Sequence, residues 1–465
     1  MAAEVIVIGG GVAGMAAAQN LASGGVGVTI LEARPWLGGR IRAARSESGR
    51  FPIELGAEFV HGAKNAVWEV ISAAKLKTSE VPARHWTFRD NILKEDNDLF
   101  GEIEEVFSGI NVSEPDNDFR TFLKKCNELR EPVKSLSLDY VEGFHAADPA
   151  RVSVHSLARS EQASERDDGT RQFRIDEGYR AMLDWFSTRL RQSGVRVELE
   201  RVVESIVWEE GAVQVRARTE SSIEQFEGRQ ALITLPIGVL QQERSGVQFL
   251  PRLPQHEQAI QALAMGPVTK LILEFRTPFW PERNFGFIHA LGARFPTWWS
   301  DERGAVLTAW AGGPRAKDLE GLRLEELQAE ALSQAARMFK ADPVKIRDLL
   351  IRVHHHDWTR DPFSRGAYSY TPVGMASMAG QLAIPAKNTL FFAGEATDSS
   401  GEEGTVQAAL ASGRRAARQM LDALEQDAVK PVNRPFRGAA AIPQEPNDDD
   451  SDDDDPPAHR NSLLA

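Results

Sequence analysis

Residues 4–8 (EVIVI) are an unbroken apolar run, the pattern of a strand covered on both faces. Glycines follow, then MAAAQNLAS with its apolar positions at helical spacing, then a second apolar run over residues 26–31 that stops at Glu32. Together they predict a β-α-β unit of about thirty residues. Between residues 195 and 240 four short strand patterns recur, VRVELE, ESIVWEE, AVQVRAR and ALITLPIGVL, the last running into a turn marked by Pro and Gly. Two longer stretches are amphipathic helix patterns: LEELQAEALSQAARMF at 324–339, and TVQAALASGRRAARQMLDAL at 405–424 after a glycine-rich loop. Residues 83–193 mix charged helical and loop patterns that periodicity does not separate. This order predicts an α/β protein. One Rossmann-like domain is assembled from residues 1–82, 194–280 and 386–427, and an α+β domain is inserted as 83–193 and 281–385.

Charge sharpens these boundaries. The chain of 465 residues has 54 Lys plus Arg against 67 Asp plus Glu, a net charge of −13, but residues 448–455 read DDDSDDDD. Setting aside those seven aspartates and Arg460 takes the balance from −13 to −7, so the total describes the tail more than the folded part. The approach to this run, KPVNRPFRGAAAIPQEPN, has no periodic apolar face. Residues 428–465 are therefore expected to be disordered, because such a composition buries too little apolar surface to offset chain entropy. The tail is a candidate contact for a basic partner. The rest, about 425 residues, exceeds what one core usually organises, hence two domains.

Several classes are excluded. Cys126 is the single cysteine, so a disulfide scaffold is ruled out and a cytoplasmic address is the default expectation. No apolar run approaches the roughly 20 residues of a membrane-spanning helix, and MAAEVIVIGGG lacks the basic flank of a signal peptide. A net acidic chain is a poor nucleic-acid binder.

Gly9, Gly11 and Gly14 have a Gly-x-Gly-x-x-Gly spacing between the first strand and helix, with Glu32 at the end of the second strand. Gly9 permits a tight turn, Gly11 lets backbone approach a pyrophosphate, and Gly14 lets helix and strand pack closely. The helix N-terminus adds amide donors for phosphate, and Glu32 can accept ribose hydroxyls. Arg34 and then Gly38, Gly39 and Arg40 follow, placing more backbone and a fixed positive charge along an extended dinucleotide than a simple nicotinamide enzyme requires.

In the combination VIVIGGGVAGMAAAQNL with LEARPWLGGR, IELGAEFVHG (53–62), TLPIGVLQ (234–241), MGPVTKLILEF (265–275), DWTRDPFSRGAYSYTPVG (357–374) and LFFAGEATDSSGEEGTVQAALASGRRAA (390–417), the chain resembles the FAD-dependent amine oxidase family of monoamine oxidases, polyamine oxidases and flavin histone demethylases. The resemblance implies bound FAD, a second domain over the flavin that holds substrate, and oxidation of an amine with oxygen reduced to hydrogen peroxide. By position, Lys270 looks like the lysine that holds a water at the flavin N5 edge. Independently, a Lys within the apolar strand VTKLILEF is costly to bury unpaired, so something polar should face it. Tyr368 looks like one wall of the aromatic cage for the amine, and Trp358 like the tryptophan beside the isoalloxazine. Gly394 and Glu395 resemble the Gly-Glu pair near the ribityl and pyrophosphate chain. Thr405 and Val406 open the helix aimed at the pyrimidine end. Gly56, Ala57 and Glu58 fall where the family wraps backbone around the flavin, and Val203 where backbone meets adenine.

Departures from the pattern matter as much. Ala367 stands where animal monoamine oxidases carry the cysteine that bonds the flavin, so the FAD is expected to be non-covalent. Thr405 stands where the second cage aromatic is expected, which leaves Trp298 or Trp299 to complete the cage. His61 matches the histidine of the polyamine oxidase version of its segment and could bind a substrate nitrogen. Glu58, Glu402 and Glu403 are candidates to attract a cationic amine. His354, His355 and His356 do not make a metal site, because alternate side chains of a strand face opposite ways, and no metal is expected. A monoamine and a polyamine both stay open as substrate, as does a homodimer. The competing reading is a flavin-dependent desaturase or isomerase of an apolar substrate, of the phytoene desaturase or protoporphyrinogen oxidase type. Lys270 and the GAYSY segment weigh against it.

Overall fold

In a computed structural model, which describes residues 4–242, 246–281 and 285–428, Val5–Ile8 is the central strand of a five-stranded parallel sheet. Val28–Leu31 and Arg196–Glu198 lie on one side of it, and Gln230–Ile233 and Leu390–Phe392 on the other. Val5–Ile8 and Val28–Leu31 are buried along their whole length, which is why they read as continuous apolar runs. Helix Val12–Ser23 packs against helix Val406–Ala428. Small residues let the backbones approach: a Cβ on Gly14 would lie 2.0 Å from the Gly9 carbonyl oxygen, and one on Gly413 would lie 2.2 Å from that of Ala13. Tyr179, Met182, Leu183, Phe186 and Leu190 of helix Tyr179–Gln192 join the same core as Met15 and Leu21.

A second, seven-stranded sheet has Val268–Phe275 between Leu350–His355 and Val306–Gly312, followed by Thr297–Asp301, Phe287–Ala290, His85–Arg89 and Ile92–Glu95. Leu271, Leu273 and Phe275 pack into a core with Leu327, Ala331, Ala335 and Met338 of helix Leu324–Phe339. A strand alternates its faces, so Lys270, Ile272 and Glu274 turn the other way, and Ile272 meets Ile53, Leu55 and Val306 there. Both faces are covered, and this is what buries Lys270.

Residues 83–193, undivided by periodicity, contain the helices Asn97–Ser108, Phe119–Lys125, Glu131–Phe144, Val154–Asp167 and Tyr179–Gln192. Among the described residues, no helix is long and apolar enough to cross a membrane. The last helix extends to Ala428, one residue into the stretch expected to be disordered. The remainder of that stretch, with the acidic run, lies outside the described residues.

Candidate active site

A cavity of about 800 Å³ runs from the glycines after the first strand to the wall formed by the seven-stranded sheet. At the first end Glu32 is buried, which raises its carboxyl pKa. Its Oε2 accepts the Gly10 N–H at 2.7 Å and its Oε1 the Arg34 N–H at 2.9 Å. The Arg34 guanidinium is committed elsewhere. It makes a two-pronged pair with Asp361, both contacts 2.8 Å, and reaches Ser364 Oγ at 3.0 Å. The His356 ring, held by Arg42 at Nδ1, donates from Nε2 to Asp361 Oδ2 at 2.7 Å. Although burial opposes it, His356 and Arg34 hold the Asp361 carboxyl well below the usual range. Val203 lines this end and Gly14 does not.

Along the middle, backbone replaces side chain. A Cβ on Gly39 would come 3.3 Å from Gly11 Cα, and one on Gly56 would lie 1.9 Å from the Arg40 carbonyl oxygen and 3.0 Å from Trp358 Cζ2. Trp358 is fixed by its indole N–H on the Leu55 carbonyl at 2.9 Å. Arg40 Nη1 binds Glu395 Oε1 and the Ala367 carbonyl, each at 2.8 Å. Glu395 Oε2 in turn takes Ser369 Oγ at 2.6 Å and the Gly404 N–H at 3.0 Å. Gly394 and Ala57 complete this stretch of the lining. Thr405 caps the last helix: its Oγ1 donates to the Glu402 carbonyl at 2.6 Å and accepts the Ala408 N–H at 3.1 Å. Val406 and Gln407, the first two residues of that helix, line the cavity, so its N-terminus borders it.

At the far end Lys270 is 2% exposed, and the polar group that must face it is Glu58. Lys270 Nζ lies 2.8 Å from Glu58 Oε2, 3.2 Å from the Gly56 carbonyl and 5.6 Å from the centre of the Trp299 ring. Glu58 Oε1 accepts from Arg174 Nε at 2.9 Å and Trp299 Nε1 at 3.0 Å. Burial alone would raise the Glu58 pKa; Lys270 and Arg174 outweigh it and hold the carboxyl at about 2. Its oxygens are thus taken by protein donors, deep in the site. Arg174, in the strand QFRI, carries the signal that singled out Lys270, a charge inside an apolar run, and sequence reasoning passed over it.

Tyr368 lines the same end and donates its hydroxyl to the Phe144 carbonyl at 2.8 Å. His61 lines it too, its ring edge-on to Phe144 at 5.4 Å between centroids. Burial pulls His61 down to about 4 against the opposing Gln172 hydrogen bond, so the ring is neutral. Of the two expected cage tryptophans, Trp299 lines the cavity while Trp298, on the other face of its strand, is wholly buried in the opposite core. Glu403 is held by Ser156 Oγ at 2.6 Å and Thr371 Oγ1 at 3.0 Å. Glu402 lines the cavity with Asp167; burial, then the hydrogen bond and charge of Asp167, push it up to about 8. Glu104 and Glu161 lie in the same wall, and burial with Glu104 and Glu165 nearby raises Glu161 to about 7. Nothing in the sequence pattern marked Asp167, Glu161 or Glu104. Each consecutive histidine has its own protein partner: His354 the Glu274 carboxylate, His355 the Lys270 carbonyl, and His356 the groups named above.

The model of the family described as flavin containing amine oxidoreductase matches residues 12–124 and 114–421. The chain belongs to that family. This amine oxidoreductase is 29% identical over 451 residues to polyamine oxidase 2 of Arabidopsis thaliana, covering 89% of this chain and 87% of that protein. It is 25% identical over 474 residues to polyamine oxidase 1 of Zea mays, covering 92% of each. Among solved structures, putrescine oxidase bound to putrescine superimposes with a TM-score of 0.76 at 20% identity, over 91% of this chain and 99% of that one. Cyclohexylamine oxidase from Brevibacterium oxydans IH-35A gives 0.77 at 19%, over 91% and 100%. Those two likenesses are of fold.

The lining of this amine oxidoreductase fits a flavin dinucleotide on three observations. Gly11 and Gly394 line it with bare backbone where a Cβ would meet no protein atom nearer than 4.0 Å, the first residues of a helix border it, and Gln407 Oε1 is buried with no hydrogen-bond partner among the described residues. Gly56→Ala tests the cradle. With a Cβ 1.9 Å from a carbonyl oxygen, backbone must shift, and the purified variant is expected to carry less than about half the wild-type flavin per chain by absorbance. Full flavin content would show that the close approach is not needed.

Proposed function

We propose that this amine oxidoreductase binds FAD non-covalently and oxidises a diamine or polyamine to the imine, which water splits to aldehyde plus amine or ammonia, with oxygen leaving as hydrogen peroxide. What carries the reading is one continuous cavity that joins the glycine cradle to the buried Lys270–Glu58 pair and Tyr368. Gly9, Gly11, Glu32, Gly39, Arg40, Gly56, Val203, Trp358, Gly394 and the Val406 amide are the residues that would hold the dinucleotide. Ala367 offers no nucleophile for a covalent link. When bound, FAD supplies the two-electron acceptor.

The chain's own residues orient and exclude. Glu58 stays ionised but spends its charge on Lys270 and Arg174, so the deep end presents no free strong base, and the amine must arrive unprotonated at its reacting nitrogen. Lys270 Nζ holds a donor at one fixed point between Glu58 and the Gly56 carbonyl. The Tyr368 ring supplies a π-face for the nitrogen, and neutral His61 can accept a hydrogen bond. A second ammonium on the substrate is favoured by the carboxyls of Asp167, Glu402, Glu161 and Glu104 in the lining, and a cation there returns the raised groups of Glu402, Glu161 and Glu104 to their charged form. A monoamine is the second reading, favoured by the aromatic lining of Phe59, Trp299 and Trp310.

Anaerobic mixing with a panel of mono-, di- and polyamines tests both levels. Diamines are expected to bleach the flavin and, in air, to release peroxide with kcat/KM at least about tenfold above matched monoamines. No bleaching by any amine would sink the activity. Equal kcat/KM across the panel would sink only the substrate class.

A further inference from the structure

Thr405 offers no ring to face Tyr368, and its hydroxyl is spent on capping a helix. We propose that Trp310 is the ring that faces Tyr368, and that the pair sets the width through which an amine reaches the reaction centre. This inference rests on the amine-oxidising reading above.

The argument begins with strand register. Lys270 and Trp310 are directly opposed in the antiparallel pairing of Val268–Phe275 with Val306–Gly312, and opposed residues put their side chains on the same face. Trp310 therefore stands beside Lys270 on the cavity side, and its ring centre is 5.7 Å from that of Trp299. The two tryptophans have different attachments. Trp299 gives its N–H to Glu58 and lies beneath the Lys270 ammonium. Trp310 gives its N–H to the Gly143 carbonyl at 2.9 Å.

That carbonyl is shared. The Tyr368 hydroxyl lies 3.3 Å from the same Gly143 oxygen and 2.8 Å from that of Phe144. Gly143 and Phe144 end the helix Glu131–Phe144, whose last carbonyls have no partner inside the helix. Trp310 and Tyr368 supply the missing donors. The indole and the phenol thus converge by their polar edges on one fixed acceptor, while both rings line the cavity. If Tyr368 swings aside the Phe144 carbonyl loses its donor, and if Trp310 does the Gly143 carbonyl keeps only the longer 3.3 Å contact to the Tyr368 hydroxyl. The passage between them admits an unbranched alkyl amine and resists one with a ring at the α-carbon. Trp310 is a specificity residue by this reasoning.

Three holoenzyme variants test it: Trp310→Ala and Trp310→Leu, which remove the ring, and Trp310→Phe, which keeps a ring but loses the N–H. Each is assayed for peroxide release with an unbranched alkyl amine and with cyclohexylamine, alongside flavin content. With flavin retained, Ala or Leu is expected to move the ratio of kcat/KM for cyclohexylamine over the unbranched amine upward by about tenfold or more, the scale of steric discrimination in a pocket. Phe is expected to keep the wild-type ordering of the two amines. The proposal is overturned if the ratio stays put in both Ala and Leu, if both amines slow equally in them, or if Phe shifts the ratio as far as Ala does. A wild-type enzyme that oxidises neither amine, nor any on the wider panel, would instead defeat the activity on which the proposal stands.

Discussion

Replacing Lys270 with Met is expected to lower the rate of flavin reduction or of its reoxidation by on the order of 100-fold, with flavin content unchanged. Methionine keeps the length and apolar stem of lysine and removes only the donor. Two acceptors lose a partner, Glu58 Oε2 and the Gly56 carbonyl. Glu58 keeps Arg174 and the Trp299 indole, so its charge is not left alone and the fold is expected to survive. With Lys270 gone, burial is opposed only by Arg174 and the Trp299 indole, and the Glu58 carboxyl is expected to rise from about 2 toward the ordinary range. The variant should therefore show a new loss of activity on acidification that wild type lacks. Stopped-flow reduction with an amine in the absence of oxygen, followed by mixing with oxygen, separates the two half-reactions. Unchanged rates in both would remove Lys270 from the chemistry and leave it a structural ion pair.

The second large effect concerns stability. Asp361→Ala strips the Arg34 guanidinium, 7% exposed at its side chain, of a two-pronged partner and leaves His356 Nε2 without its acceptor. Removing one member of a buried pair costs about 3–5 kcal/mol, because the other is stranded. The same accounting predicts recovery: Arg34→Met combined with Asp361→Leu removes both charges, and most of the loss should return. Urea midpoints of the two variants against wild type give the answer, and an equal loss in the double variant would mean that shape, not stranded charge, was responsible. The pH dependence has a fixed sign. The Asp361 pKa is depressed on folding, so this stabilisation is present above the ordinary aspartate range and is lost as pH falls below it.

What could be read beforehand follows from the range of the interactions. The β-α-β unit, the glycine spacing and the last two long helices are local patterns, and the structure places them within a few residues of where the periodicity does. Lys270 was legible because a charge in an apolar strand demands a partner, yet the partner's identity was not. Glu58 is 212 positions away and Arg34 meets Asp361 across 327, separations at which spacing carries no information. Trp310 was hidden for a related reason. Its standing beside Lys270 depends on the register of two strands, and a slip by one residue would turn it into the opposite core. Residues 83–193 stayed unreadable because their helices are short and carry apolar stripes broken by charge, where tertiary packing decides what local preference cannot.

The strand Val268–Phe275 serves two masters. Its odd-numbered side chains Leu271, Leu273 and Phe275 are bolted to the helix Leu324–Phe339, while Lys270 on the reverse side meets the cavity. The lysine therefore has no slack of its own: chemistry and bulk packing share one rigid plate. Heat or denaturant cannot soften this site ahead of the surrounding core, so inactivation and global melting should arrive together as one cooperative event.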